Sequence, residues 1–157
     1  MNMKRILVVD DEPSITLNLK LTLESGGGYE VLGENNPVNA LAAAQTFQPD
    51  LILLDVMMPD MDGGDVAARL QADPVLRDTP VIFLSGIVSN EETGGHEMIS
   101  GGETFLAKPV DIELLLKCIE QTLSQILNHD ATPSLFLDET APIFKNYELL
   151  CSFNKSS

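Results

Sequence analysis

The chain has 157 residues, enough for one domain with its own core, and 44% of them are hydrophobic, which is ordinary for a soluble fold. No stretch of the sequence is long and apolar enough for a membrane span, so we expect none. The first residues, Met1-Asn2-Met3-Lys4-Arg5, lack the layout of a signal peptide, so we do not expect one. A formal net charge of −15 without clustered Lys or Arg argues against a nucleic-acid surface, so we expect no direct DNA binding.

The two cysteines, Cys118 and Cys151, do not form a CxxC motif. The sequence therefore suggests neither a disulfide framework nor a zinc site. We expect both thiols to be reduced and the protein to be cytoplasmic.

Short β-type runs alternate with helix-type segments along the chain, which predicts a parallel sheet with helices on both faces. Pro13 suits the first turn of a helix, and the glycines that follow residue 25 end it. We predict strands near 5–10, 30–33, 51–54, 81–84 and 104–107, and helices near 13–25, 37–46, 64–72, 90–100 and 111–127. Five βα repeats give an α/β fold, a flavodoxin-like (βα)5 doubly wound five-stranded parallel sheet of order 2-1-3-4-5.

Two helical segments have unusual patterns. The run from Ile15 to Leu23 alternates with period two, as a half-buried strand does, but its length and its proline and glycine boundaries favour a helix. In that helix Ile15, Leu19 and Leu23 form the buried stripe, while Leu17 and Leu21 fall elsewhere and could form a contact surface. The segment near 90–102 contains Gly94-Gly95 and Gly101-Gly102, so we expect its helix to be short or readily remodelled.

Polar residues end four of the predicted strands. Asp10 and Asp11 follow the first apolar run, Asp55 ends the third, and Ser85 and Lys108 follow the fourth and fifth. The carboxyl ends of parallel strands meet at one edge of a sheet, where α/β folds place their chemistry. We therefore expect three acids, a hydroxyl and an amine to gather there.

Three crowded carboxylates repel one another, so they imply a hard divalent cation with oxygen ligands, for which we assign Mg²⁺. Asp55 could then attack as a nucleophile and give an acyl phosphate. Ser85 and Lys108 would stabilise the phosphoryl oxygens.

With these motifs in order, the chain resembles the CheY-like receiver domain of the two-component response-regulator family over about residues 3 to 127. The motifs are Asp10-Asp11-Glu12-Pro13, then Asp55 with Met58-Pro59 and Gly63, then Ser85-Gly86, and finally Phe105-Leu106-Ala107-Lys108-Pro109. Each motif alone is weak, but together and in this order they are highly specific.

The resemblance assigns roles to the acids. Asp55 would be the phosphoacceptor and a metal ligand, Asp11 a direct Mg²⁺ ligand, and Asp10 a ligand mainly through water. The backbone carbonyl of Met57 would complete the protein's share of the metal site.

The resemblance also assigns the remaining site residues. Ser85 and Lys108 would each bond a phosphoryl oxygen, and a cis bond before Pro109 would aim the lysine. Phe105 matches the aromatic switch position, where it would have to act by packing because it lacks the hydroxyl of the more common tyrosine.

The function implied is that of a phosphoacceptor in a two-component phosphorelay. The protein would take a phosphoryl group from a sensor histidine kinase or phosphotransfer protein and signal to an unidentified downstream protein by changing shape. We expect no enzyme activity beyond its own phosphorylation and dephosphorylation. One alternative is a haloacid-dehalogenase-type phosphatase, but that family needs Asp-x-Asp after its first strand, whereas Asp10 and Asp11 are adjacent. A non-phosphorylated receiver-like binding module is disfavoured because every site residue is present.

The last thirty residues lie outside the resemblance. We expect a receiver domain over 1–127 and a C-terminal tail over 128–157 with no recognised output domain. The tail is apolar but too short to build a core easily, so we expect it to dock on its own domain, on a second copy in a homodimer, or on a partner.

Overall fold

The computed structural model describes residues 2–86, 98–100 and 102–129, and the chain divides into two compact units, Met1–Leu84 and Ser85–Ser157. The elements of the first unit are β1 (Lys4–Val9), α1 (Pro13–Ser25), β2 (Tyr29–Glu34), a 3-10 turn (Pro37–Asn39), α2 (Ala40–Phe47), β3 (Leu51–Asp55), α3 (Gly63–Ala72) and β4 (Val81–Ser85), whose last residue begins the second unit. The described elements of the second unit are β5 (Met98–Ser100), β6 (Glu103–Ala107) and α4 (Ile112–His129).

The strands of the first unit are parallel and follow the order β2-β1-β3-β4. Ile6 of β1 lies opposite Val31 on one side and Leu51 on the other. Residues 6–9 of β1 and 51–54 of β3 are completely buried, so both faces of the sheet are covered along these strands. Continuous apolar runs of this kind are typical of parallel strands between helical layers. The α/β prediction is confirmed, and the first four positions of the predicted strand order are observed.

Helix α1 forms despite its period-two pattern. Pro13 occupies its first turn, and Gly27 and Gly28 have φ values of 74° and 94°, a backbone conformation that ends a helix and suits glycine. Leu19 and Leu23 are buried on the inner face. Leu17 and Leu21 are 55% and 58% exposed, as the helical reading predicted.

The inner face of α1 also carries a polar pair that reaches the outer strand β2. The Lys20 ammonium donates to the Glu24 carboxylate at 2.9 Å and to the carbonyl oxygen of Val31 at 2.6 Å. The Val31 N–H in turn donates to the same Glu24 oxygen at 3.0 Å. The N–H and the carbonyl oxygen of Val31 are therefore both hydrogen-bonded to side chains of α1, on the side of β2 that faces away from β1.

The predicted helix over 37–46 is divided. Asn36 accepts a hydrogen bond from the Val38 N–H at 3.1 Å and so caps a single 3-10 turn, after which α2 runs from Ala40 to Phe47. Asp62 caps α3 in the same way by accepting from the Asp65 N–H at 2.9 Å. Side-chain caps thus decide where the 3-10 turn and helix α3 begin.

In the second unit, the prediction of helix is wrong for Met98–Ser100. These residues form β5, which pairs antiparallel with β6 so that Met98 lies opposite Phe105 and Ser100 opposite Glu103. The sequence places Gly101-Gly102 between the two strands, a pair that favours a tight hairpin turn, and Gly102 has a φ of 84°. The rest of that predicted helix, 90–97, lies outside the described residues.

Helix α4 confirms the predicted long final helix, and Leu115 and Ile119 are fully buried on its inner face. Cys118, on the same helix, is also buried. Residues 130–157 lie outside the described part of the chain, so the expectations for the tail are untested there. Across residues 2–86, 98–100 and 102–129, none of the helices combines the length and hydropathy needed to cross a membrane.

Candidate functional site

Three aspartates form an acidic cluster in the first unit. Asp10 and Asp11 follow β1 and Asp55 ends β3, and the two strands are in register up to Val9 and Leu54. Carboxylate oxygens of the three residues all lie within 4.8 Å of one another. Asp10 is 0% and Asp55 3% exposed, while Asp11 is half-buried. The structure therefore brings together the three acids that the sequence predicted.

The backbone beside each strand end orients two of these carboxylates. The N–H of Glu12 donates to one carboxylate oxygen of Asp10 at 2.9 Å. The N–H of Met57 points at a carboxylate oxygen of Asp55 over a longer 3.4 Å. The Met57 side chain itself is 47% exposed.

The cluster fits a hard divalent cation. Buried carboxylates lose their hydration, and close like charges raise the cost further, so such a group needs compensating positive charge. Carboxylate oxygens without sulfur or nitrogen ligands suit Mg²⁺ or Ca²⁺ rather than a softer metal. Among the described residues, the acids, cysteines or histidines whose ligand atoms all lie within 4.8 Å of one another are Asp10, Asp11 and Asp55.

A hydrogen-bonded asparagine beside the cluster was not predicted from the sequence. The Asn35 side-chain nitrogen donates to the backbone carbonyl of Asp10 at 2.8 Å and to the Thr16 hydroxyl at 2.9 Å. Thr16 is buried in α1, and its hydroxyl donates to the carbonyl of Pro13 at 3.1 Å. The one sequence signal was position, since Asn35 directly follows β2, the strand that pairs with β1.

The remaining predicted residues belong to the second unit. The backbone N–H of Lys108 donates to the carbonyl oxygen of Ser85 at 2.9 Å, which brings the hydroxyl-bearing and amine-bearing segments side by side. Ser85 is 1% exposed, and Lys108 is half-buried. The peptide bond between Lys108 and Pro109 is cis, as the resemblance implied. Phe105 is buried at 1% exposure.

Gly86, next to Ser85, has open space on its Cβ side as far as the described residues show. It is exposed, and a Cβ built on it would meet no described atom within 4 Å. Among the described residues, the backbone at residue 86 would therefore accept a Cβ without overlap.

Comparison with known proteins covers most of the described chain. The family profile of the response regulator receiver domain matches residues 6–120. The transcriptional regulator RpaA of Synechocystis is 36% identical over 122 residues, which are 77% of this chain and 49% of that protein. The protein PilH of Pseudomonas aeruginosa is 35% identical over 125 residues, covering 78% of this chain and 99% of PilH.

Solved structures agree with these matches. The chemotaxis protein CheY4 of Vibrio cholerae aligns with a TM-score of 0.65 and 32% identity, over 76% of this chain and 98% of CheY4. Of several curated relatives, RpaA among them, the chain spans half the length or less. On the family match, the sequence identities and the common fold, this chain belongs to the response regulator receiver domain family.

Proposed function

We propose that this chain is a phosphoacceptor receiver that takes a phosphoryl group onto Asp55 from a sensor histidine kinase or phosphotransfer protein. The observation that carries the proposal is the buried cluster of Asp10, Asp11 and Asp55 at the ends of two adjacent strands. Membership of the receiver family supports the same function.

The transfer would make one bond and break another. A carboxylate oxygen of Asp55 forms a bond to phosphorus, and the bond between phosphorus and the histidine nitrogen of the donor breaks, which leaves an acyl phosphate on Asp55. Asp10, Asp11, Asp55 and the backbone carbonyl of Met57 would hold Mg²⁺. Bound there, Mg²⁺ supplies positive charge that offsets the charge of the acids and the phosphoryl group. Asp10, oriented by the N–H of Glu12, would act through a water molecule.

Two residues of the second unit would bind the transferred group. The Ser85 hydroxyl would donate to one phosphoryl oxygen and the Lys108 ammonium to another. Phe105 would change its packing when these contacts form, and that change would pass the signal to a downstream protein. The protein would act on no substrate beyond its own phosphorylation and dephosphorylation.

The family assignment argues against the haloacid-dehalogenase alternative, because the matched profile is that of receiver domains. A non-phosphorylated binding module would not need buried acids, whose burial costs free energy unless a cation or another partner compensates. Phosphoryl transfer therefore remains the function that the site supports best.

We propose that residues 1–127 form the receiver domain, that residues 128–157 form a tail, and that the protein is cytoplasmic. Docking of the tail on a second copy would give a homodimer. Helix α4 ends at His129, so a truncation after that residue keeps the helix whole. The truncated protein should bind Mg²⁺ and accept phosphate like the full chain. Unfolding of the truncated protein would contradict the boundary.

A small-molecule acyl phosphate tests the proposal without knowledge of the kinase. The full chain should gain one phosphoryl group by intact mass when Mg²⁺ is present and far less when the metal is chelated. A chain that gains none under conditions that label another receiver domain would contradict the proposed function.

A further inference from the structure

Asn35 joins the loop after β1 to helix α1. Its side-chain nitrogen lies 2.8 Å from the backbone carbonyl oxygen of Asp10 and 2.9 Å from the hydroxyl oxygen of Thr16. A carbonyl oxygen only accepts hydrogen bonds, so the amide nitrogen of Asn35, rather than its oxygen, must face Asp10. One side-chain amide thus uses its two donors on two separate segments of the first unit.

The contacted carbonyl belongs to the peptide bond that joins Asp10 to Asp11. A peptide unit is planar, so a hydrogen bond that fixes this carbonyl also fixes the direction in which the chain continues to Asp11. Asn35 therefore acts on the relative orientation of two of the three clustered acids. It does so from outside the cluster and without adding charge.

Other contacts hold neighbouring groups of the same loop. The Asp10 N–H donates to the carbonyl of Glu34 at 3.2 Å, which fixes the peptide before Asp10. The Glu12 N–H orients the Asp10 carboxylate. Thr16, which is 5% exposed, holds Asn35 against α1 and donates to the carbonyl of Pro13.

We propose that Asn35 is a positioning residue for the divalent-cation site of Asp10, Asp11 and Asp55. The proposal rests on the proposed function in taking Mg²⁺ as the cation. A loop that rotates about the Asp10–Asp11 peptide would hold the carboxylates in the binding arrangement for a smaller fraction of time. Apparent affinity falls by that fraction, so loss of Asn35 should weaken Mg²⁺ binding while the ligands themselves remain.

Calorimetric titration of the full chain with MgCl₂ tests the proposal. Asn35→Ala should bind Mg²⁺ about three- to tenfold more weakly than the parent, the range expected for a lost hydrogen bond. Asn39→Ala is the matched control, because Asn39 is exposed and makes no side-chain cap to α2. Its Mg²⁺ affinity should equal that of the parent.

Asn35→Asp separates positioning from electrostatics. The variant has nearly the same shape but sets an acceptor against the Asp10 carbonyl, so positioning predicts weaker Mg²⁺ binding. An added negative charge near the cluster predicts tighter binding on electrostatic grounds alone. Tighter or unchanged binding by Asn35→Asp would overturn the proposal.

Thermal unfolding without metal distinguishes positioning from a purely structural role. We expect Asn35→Ala and Asn39→Ala to unfold at similar temperatures while their Mg²⁺ affinities differ. If Asn35→Ala is too unstable to titrate, Thr16→Val removes the second acceptor of Asn35, together with the bond from the hydroxyl to the Pro13 carbonyl, and should also weaken Mg²⁺ binding. Thr16→Ser keeps the hydroxyl and both bonds, so it should bind Mg²⁺ like the parent.

The outcomes separate this proposal from the proposed function. If Asn35→Ala binds Mg²⁺ as tightly as the parent, the positioning role is overturned and the proposed function stands. The same holds for Thr16→Val where that variant replaces Asn35→Ala. A parent chain that binds no Mg²⁺ would contradict the cation site itself, and the positioning role with it.

Discussion

Gly63 lies directly against the backbone of Asp55. A Cβ built on Gly63 would overlap the carbonyl oxygen of Asp55, and the Gly63 N–H donates to the carbonyl of Val56 at 2.9 Å. The first turn of α3 therefore packs on the peptide that carries the proposed phosphoacceptor. Only glycine allows this approach, because any side chain would meet backbone that cannot move without displacing β3.

Gly63→Ala should accordingly disturb Asp55 as well as lower stability. We expect a cost of about 1–3 kcal/mol in the free energy of unfolding, typical of overpacking in a buried site. We also expect weaker Mg²⁺ binding, because the end of β3 must shift. Denaturant unfolding and calorimetry on the same samples measure the two effects.

Gly26→Ala is the control for that substitution. Gly26 has an ordinary helical φ of −75°, and the nearest atom to a built Cβ is 4.0 Å away. Its Mg²⁺ affinity should equal that of the parent. If Gly63→Ala behaves in the same way as Gly26→Ala, the packing argument for Gly63 is wrong.

Glu24 should make the protein sensitive to acid. Its hydrogen bond from Lys20, and then that from the Val31 N–H, lower the pKa of the Glu24 carboxyl below 4.5. Because the folded-state pKa is depressed, this carboxylate contributes stability above its unfolded pKa, and the contribution is lost as pH falls through the folded value. Denaturant midpoints of Glu24→Gln should therefore fall below those of the parent at neutral pH and approach them in acid.

Glu120→Gln is the control for Glu24, since Glu120 is exposed on α4. The difference between parent and Glu24→Gln should shrink as the pH is lowered, whereas Glu120→Gln should follow the parent throughout. An equal difference at all pH values would show that the lowered pKa does not contribute to stability.

Glu103 should have the opposite pH dependence. Burial raises the pKa of the half-buried Glu103 carboxyl from 4.5 to about 7. Between these pH values the folded state binds more protons than the unfolded state, so this group lowers stability as pH rises. Glu103→Gln should be more stable than the parent at and above about pH 7, and the difference should vanish near pH 4.5.

Thermal melts over this range measure the effect of Glu103. Glu113→Gln, which changes an exposed acid of α4, is the control and should melt like the parent at each pH. A Glu103→Gln protein that is no more stable than the parent above pH 7 would contradict the raised pKa.

Lys108 should affect the response more than the fold. Its side chain is half-buried, while its backbone N–H keeps the bond to the Ser85 carbonyl whatever the side chain is. We expect Lys108→Ala to stay folded and lose most of the change in amide hydrogen exchange that phosphorylation produces. Lys117→Ala, at an exposed site on α4, should respond like the parent. A full response in Lys108→Ala would contradict its coupling role.

The acidic cluster could be predicted from sequence because a polar residue at the end of an apolar run is a local signal. Asp10 and Asp55 each end an apolar run, and parallel pairing brings such ends together. For helix α1, the length and the proline and glycine boundaries favoured a helix over the strand that the alternating leucines suggest, and the family resemblance settled the choice.

Other features have no local signature. Asn35 contacts the Asp10 carbonyl across 25 positions of sequence, so its role depends on how β2 pairs with β1. The closeness of Gly63 to Asp55 depends on where α3 returns to the sheet. Strand β5 was missed because the helix expected at 90–100 came from the resemblance, whereas the chain pairs Met98–Ser100 with β6.

The phosphorylation of Asp55 is the central claim, and a comparison of two isosteric variants tests it most directly. Asp60 is an exposed acid in the loop after β3 with a φ of 69°, a conformation that asparagine tolerates, so Asp60→Asn is a fair control for Asp55→Asn. Each protein is incubated with an acyl phosphate and Mg²⁺, and its intact mass is then measured by mass spectrometry. We predict one phosphoryl group on the parent and on Asp60→Asn, and none on Asp55→Asn. Labelling of Asp55→Asn to the level of the parent would contradict the claim.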